Sequence, residues 1–166
     1  MCGINGIWAY RDSAPPIKRR ELDATCEHMA ARGPDARGTW LGDSDRLGLA
    51  HRRLAIIDLS QAGAQPMRRE EDDLAIVFNG EIYNHVEIRR QLEARGRVFR
   101  SRSDTEVLLQ LYAEKGERML QDLRGMFAFA IWDGRQRRLF MARDPYGIKP
   151  LYYADDGSTL RFASQV

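Results

Sequence analysis

A chain of 166 residues with 43% hydrophobic and 30% charged side chains can bury roughly two-thirds of the surface its unfolded form exposes, which excludes a disordered polar chain. The formal net charge is only +2, with acids interleaved among bases. The lopsided charge and recognisable module of a nucleic-acid binder are both missing. No run approaches the ~18 apolar residues of a transmembrane helix, and Met1 to Gly6 lacks the basic-then-apolar pattern of a secretory signal, so a cytoplasmic protein with no nucleic-acid or membrane partner is expected.

In chain order, Gly3 to Tyr10 mixes Ile, Trp and Tyr with glycines and predicts a short strand approached closely by another backbone. Pro15-Pro16 precedes a helix from about Lys18 to Ala31, closed by Gly33-Pro34. Leu47 to Asp58 predicts strand, loop and strand, and Gly63 to Pro66 a loop. Leu74 to Phe78 is a continuous apolar run and predicts a buried strand. Two helices follow. One has Asn84 as N-cap with Glu87 at the third helical position, and stops at Gly96. The other starts at a Ser103-x-x-Glu106 capping box, carries a stripe of Val107, Leu108, Leu111 and Tyr112, and ends at Gly116. The four arginines from Arg95 to Arg102 predict a solvated turn from a helix into a strand. A shorter helix is expected over Arg118 to Leu123. Met126–Trp132, Leu139–Ala142, Leu151–Tyr153 and Leu160–Ala163 predict strands, with hairpins at Asp133-Gly134 and Asp156-Gly157. Strands, then helices, then hairpins define an α+β chain with mostly antiparallel sheet.

Residues that could carry chemistry are few. Two cysteines are present. Cys26 sits at helical spacing from Leu22 and Met29, as a small buried hydrophobe would, and a reducing compartment disfavours a disulfide. Cys2 becomes a residue with both a thiol and a free α-amine once Met1 is removed. The ordinary pKa values are about 8.5 and 7.7 to 8, so near neutrality the amine can accept the thiol proton and return it to a leaving group. The plainer account of Cys2 is a small core residue on the first strand. Asn79-Gly80 offers a side-chain N–H and an accessible backbone N–H, a pair able to hold an oxyanion. As an Asn-Gly pair it could also be an ordinary turn. Arg53 could clamp a carboxylate with two parallel hydrogen bonds or face solvent. Asp104 lies in a first helical turn, where a carboxylate is favourable in any case. His28, His51 and His85 are scattered, no Cys/His/Asp spacing matches a metal site, and no Gly-rich phosphate loop is present.

Eight segments, in order, resemble the N-terminal domain of class II glutamine amidotransferases, the group with an N-terminal nucleophile, and most of all the glutamine-hydrolysing asparagine synthetases. They are Met1–Ile4, Arg32–Asp35, His51–Asp58, Gly63–Pro66, Asn79–His85, Ser103–Glu106, Gly125–Ala130 and Arg143–Tyr153. The resemblance implies a four-layer αββα sandwich of two mostly antiparallel sheets with flanking helices. It implies that Cys2 attacks the side-chain amide of L-glutamine, Asn79 and Gly80 hold the oxyanion, Arg53 clamps the α-carboxylate, and Asp104, with Glu81, meets the α-ammonium. The loop just after Arg53, around Ile56 and Ile57, would offer backbone contacts to the substrate. Arg143 to Tyr153 is expected to be structural. The resemblance further implies that 1–166 is one domain of a longer chain, whose C-terminal synthetase domain would use ATP and Mg2+ and receive the ammonia. The glutaminase domain itself is expected to need no cofactor or metal, and a homodimer is left open. Two alternatives accompany this reading: a catalytically silent glutamine-binding or regulatory domain, and an amidotransferase acting on an acceptor other than aspartate. A generic α+β protein with Cys2 as a redox-sensing thiol is the reading furthest from both.

Overall fold

The computed structural model describes residues 1–166. Nine strands form two sheets in which every ladder is antiparallel. One has the order β2-β3-β1-β9-β8, built from β1 (Gly3–Ala9), β2 (Ala36–Gly42), β3 (Leu47–Arg53), β8 (Tyr152–Asp155) and β9 (Thr159–Ala163). The other has the order β4-β5-β6-β7, from β4 (Met67–Arg69), β5 (Leu74–Ile82), β6 (Gly125–Asp133) and β7 (Arg138–Arg143). Helix α1 (Arg19–His28) and helices α2 (His85–Glu93) and α3 (Asp104–Lys115) complete the fold. No helix is long and apolar enough to cross a membrane.

Side chains alternate across a strand, and that alternation sorts the core into three layers. Ile4, Leu47, Leu49 and Phe162 of the first sheet meet Ala75, Val77, Ala128, Ala130 and Trp132 of the second, forming the interior between the sheets. On the far side of the second sheet, Ile76, Phe78, Ile82, Phe127, Phe129 and Ile131 pack against α2 and α3. On the far side of the first, Ile7 and Ala50 meet Leu22 and Cys26 of α1. The result is the expected αββα sandwich. Because β5 is covered on both faces, its sequence is a continuous apolar run rather than an alternating one. Helix α3 is buried nearly all round its N-terminal two turns, from Asp104 to Tyr112.

Several local expectations are corrected. No second strand follows β3, and residues 54–60 form an open loop. Strand β2 was not predicted: it is a half-exposed edge with two glycines and no apolar alternation. Strand β5 does not stop at Phe78 but continues through Asn79-Gly80-Glu81 to Ile82, paired with β6 throughout. The Asn84 side chain makes no cap bond. Instead its Nδ2 donates to Asp122 O and its Oδ1 accepts from Arg124 N, tying the start of α2 to the entry of β6. The Arg95–Arg102 stretch joins two helices rather than a helix to a strand, and Phe99 packs against the core beneath the Arg89 guanidinium. The Ser103 hydroxyl caps Thr105 N as expected, but Glu106 reaches past it to the Arg100 and Ser101 amides. The segment after α3 is a 3₁₀ turn, Gly116–Asp122.

Phe129 is fully buried, stacked near Phe127 and edge-on to Phe140. Phe129→Ala is expected to cost about 3–5 kcal/mol, read as a lower urea midpoint with an unchanged m-value.

Candidate active site

The inter-sheet interior becomes polar at one end. Along β1 the inward series ends at Cys2 after Ile4. Along β3 it runs Leu47, Leu49, His51, Arg53, and along β5 it runs Ala75, Val77, Asn79, Glu81. These positions open into a cavity of about 230 Å3 lined by Cys2, Arg53, Ile56, Ile57, Asn79, Gly80, Glu81 and Asp104, all eight residues singled out from the sequence. The alternation also separates the two neighbouring arginines of β3. Arg52 points the other way, donating to the Cys26 carbonyl and pairing with Glu27 at the end of α1. Arg53 faces the cavity.

Each group is held in a defined way. The Leu54 N–H donates to Cys2 Sγ at 3.3 Å, and the thiol donates to Leu54 O at 3.6 Å. Burial pushes the Cys2 thiol up, opposed by the Leu54 peptide and the Arg53 charge. Arg32 Nε donates to Cys2 O at 3.0 Å, fixing the backbone of the first residues. Arg53 Nη1 donates to Ser60 O at 2.9 Å and Nη2 to Asp58 O. A Cβ on Gly63 would lie 2.6 Å from Arg53 Nη2, so glycine is required for the guanidinium to lie against the loop. Asp58 organises that loop, accepting from Ser60 N and Oγ and from Arg102 N, and these bonds hold its carboxyl below the usual range.

The free edge of β5 supplies the donors. Strand β4 pairs only as far as Met67 with Ile76, so beyond that point alternate β5 amides point away from β6 into open space. Phe78 N is taken by Gln65 Oε1 at 2.6 Å, and Ile82 N by Asp104 Oδ2 at 3.0 Å. By the period of the strand, Gly80 N–H points the same way between them. Any Cβ at Gly80 would lie 2.3 Å from Met126 O, which restricts the position to glycine. Beside it, Asn79 Nδ2 is buried without a partner. An unpaired buried donor typically costs about 1–3 kcal/mol, and this one lies at the wall of the cavity.

The charges divide between the cavity walls. Asp104, 4% exposed, enters from the first turn of α3, and burial pushes its carboxyl up against the opposing Ile82 N–H bond. Glu81 is exposed at the rim. His51, 1% exposed, is pushed down to about 3, chiefly by burial and further by the Arg53 charge, and is therefore neutral. Its Nε2 donates to Phe78 O at 3.2 Å, bridging the two sheets, and its Nδ1 is left as an unpartnered acceptor.

His51, Gln65 and Lys149 line the cavity as well but were not singled out from the sequence. His51 was legible, since it lies two residues before Arg53 on one strand and so shares its face. Gln65 lies in the family segment Gly63–Pro66, but nothing local marks its role, because its partners Phe78 and Thr105 are distant in the chain. Lys149 lies in the segment Arg143–Tyr153, which reads as structural. Beyond that segment its signal is being one of three lysines in a chain that otherwise uses arginine. A larger depression of about 560 Å3 lies over the other face of the second sheet, between β4 and α3. It holds no nucleophile, and its Arg69 and Arg100 are already paired with Asp72 and Glu71. No group of three or more His, Cys, Asp or Glu side chains is arranged to hold a metal.

Two stacked antiparallel sheets lie between helical layers, with Cys2 at the mouth of their shared interior. A solved structure with this fold, glutamine phosphoribosylpyrophosphate amidotransferase from B. subtilis complexed with ADP and GMP, superposes with a TM-score of 0.81 over 98% of this chain and 42% of its own, at 23% identity. The family model described as a glutamine amidotransferase domain matches residues 1–166, and the chain belongs to that family. Asparagine synthetase [glutamine-hydrolyzing] 1 of Bacillus subtilis (strain 168) is 43% identical over 166 residues, 99% of this chain and 26% of its own length. Amidase chry2 of Gibberella zeae is 38% identical over 174 residues, covering all of this chain and 26% of its own. The chain thus spans about a quarter of the length of these curated relatives.

Asp104 generates a prediction opposite in sign to that for most carboxylates. Its raised folded-state pKa means that ionisation favours unfolding, so its contribution is lost as pH rises through the folded value. Asp104→Asn should therefore have the higher urea midpoint at pH 7, with an advantage that shrinks as pH falls towards about 3.9.

Proposed function

We propose that this domain hydrolyses the side-chain amide of L-glutamine to glutamate and ammonia, with Cys2 as nucleophile after removal of Met1. The observation that carries the reading is the unpartnered Asn79 Nδ2 beside the outward Gly80 N–H, in the cavity that also holds the Cys2 thiol. These two donors suit the oxyanion of a tetrahedral adduct better than they suit any group of the unliganded protein.

The charges of the cavity match a zwitterion. Arg53 keeps donors in excess of the two spent on the loop carbonyls, and these meet the α-carboxylate. Asp104, with Glu81 at the rim, meets the α-ammonium. An incoming cation also relieves the burial that raises the Asp104 carboxyl. The loop around Ile56 and Ile57 lines the cavity and offers backbone contacts. With both charged groups of the α-carbon fixed, the amide carbon at the other end of the side chain is presented to sulfur as an intramolecular reactant.

The Cys2 amine takes the thiol proton, and the thiolate adds to the amide carbon. The oxyanion is held by Asn79 Nδ2 and Gly80 N. As it collapses, the C–N bond breaks and the amine's proton leaves with ammonia, giving a γ-glutamyl thioester. Water then adds with its proton passing to the amine, and the thiolate departs to leave glutamate. His51, neutral and bonded to Phe78 O, is not required to move a proton in this scheme.

The ammonia is destined for a further domain. The name of the Bacillus subtilis relative supports an asparagine-synthetase-type domain that activates aspartate, with ATP and Mg2+ bound there and not in this domain. Similarity to a protein named as an amidase over the whole of this chain favours a second reading of the acceptor alone, an acid other than aspartate. Release of ammonia from glutamine tests the core reading. Cys2→Ala and a form retaining Met1 should both be nearly inactive, and Asn79→Ala should lower kcat about 10²- to 10³-fold with little change in KM. Glutamine binding without ammonia release by the processed wild type would favour a silent binding domain.

A further inference from the structure

Lys149 is 6% exposed and lines the same cavity, yet it enters no ion pair. The chain's one lysine ion pair is that of Lys115 with Asp122. The sole partner of Lys149 Nζ is Met1 Sδ at 3.4 Å, a weak acceptor. Buried charges are ordinarily paired, so this ammonium is unusual. Its backbone leaves it little freedom. Lys149 N donates to Asp144 Oδ2 at 3.0 Å, Lys149 O accepts from Arg143 Nε at 2.8 Å, and Asp144 Oδ2 also accepts from Phe127 N in β6.

Sulfur of Met1 and nitrogen of Cys2 are five covalent bonds apart, about 6 Å at most. The ammonium therefore lies within roughly 10 Å of the atom that becomes the free amine, and removal of Met1 takes away its one partner. We propose that Lys149 is a positioning residue for the nucleophile: its unpaired ammonium keeps the freed Cys2 amine in the neutral, proton-accepting form. The proposal rests on the glutaminase reading in one respect, that Met1 is removed and the amine acts as base.

The other charged groups around the amine are fixed in place by hydrogen bonds, the cations by neutral carbonyls. Arg32 clamps Cys2 O, and Arg53 is held by the loop carbonyls. Arg143 holds the Lys149 and Gly147 carbonyls. Asp58 is tied to Ser60 and Arg102, Asp144 to its own turn, and Asp104 to Ile82 N. Glu81 lies at the exposed rim, and His51 is neutral. Arg53 and Asp104 face the cavity with opposite charges, leaving Lys149 and Arg32, whose Nη2 is buried without a partner, as the unbalanced cations. A unit charge at ~10 Å and an effective dielectric of ~20 moves a neighbouring group by about one pKa unit. The sign is downward for an amine, so the neutral base persists to lower pH.

The amine of processed protein carrying 15N-cysteine can be titrated by NMR, in parallel with a pH profile of kcat/KM for glutamine. The wild-type amine is expected to titrate about one unit below the ordinary 7.7–8.0. Lys149→Met should raise that midpoint by about one unit and move the acid limb of kcat/KM up by the same amount, with the plateau rate within about twofold. Lys149→Arg should keep the wild-type profile. A wild-type amine titrating at its ordinary value, the same midpoint in wild type and Lys149→Met, or a loss of rate equal at every pH would overturn the proposal. The wild-type midpoint decides even if Lys149→Met fails to fold. If the wild type releases no ammonia while its amine still titrates low in a Lys149-dependent way, the glutaminase reading fails and the effect of Lys149 on the amine stands.

Discussion

Two sheets stacked face to face share one interior, and the strict two-residue period of their strands decides what enters it. As long as inward positions carry Ile4, Leu49, Val77 and Ala128, the interior is hydrocarbon. One or two positions further along the same strands, the same geometry delivers Cys2, His51, Arg53 and Asn79. The cavity is thus the continuation of the core with its chemistry changed, and it inherits the rigidity of close-packed sheets. That inheritance matters, since several of its groups are unfavourable in the unliganded protein. Asn79 Nδ2 and His51 Nδ1 lack partners, and Asp104 is buried against its charge. Such groups persist only where the surrounding structure over-determines them.

The second constraint is the short length of β4. Because it stops after three residues, the outer edge of β5 is left without a strand from Phe78 onward, and an unpaired edge is ordinarily a liability. Here side chains take the place of a neighbouring strand: Gln65 covers Phe78 N and Asp104 covers Ile82 N. Gly80 N–H remains between them. Asp104 thus serves both as a cap for the sheet edge and as a wall of the cavity, so α3 must be seated before either arrangement exists. The 54–60 loop is organised in the same economical manner by one carboxylate, Asp58, and by the Arg53 guanidinium beneath it.

The comparisons separate two levels of constraint. At 23% identity the sandwich still superposes with a TM-score of 0.81, since layered sheets need only apolar side chains at the right period. At 43% identity to a glutamine-hydrolysing synthetase, family membership rests on whole motifs. The depression lined by Arg68, Arg69, Arg97 and Arg100 shows why volume is a poor guide to chemistry: it is larger than the Cys2 cavity, yet its cations are already partnered.

Much of this was legible in the residues alone. The apolar run of β5, the capped and striped α3, the Asp-Gly hairpins and the eight family segments are local patterns, and local patterns state local structure. The eight candidate residues were named from such segments, and the fold gathers them into one cavity. What needed the tertiary structure was everything that depends on a distant partner. Only stacking the sheets shows that Arg53 faces inward while Arg52 turns to α1, that His51 bridges to Phe78, and that Gln65 substitutes for a missing strand. Asn79-Gly80 reads locally as a turn, and pairing with β6 makes it strand instead. Likewise Lys149 reads as part of a structural turn until the fold lays it against Met1, 148 residues away. Sequence specifies each strand's alternation because that is a property of the backbone. Which residue an inward side chain meets is set by how the two sheets are laid over each other, and no short stretch of chain contains that information.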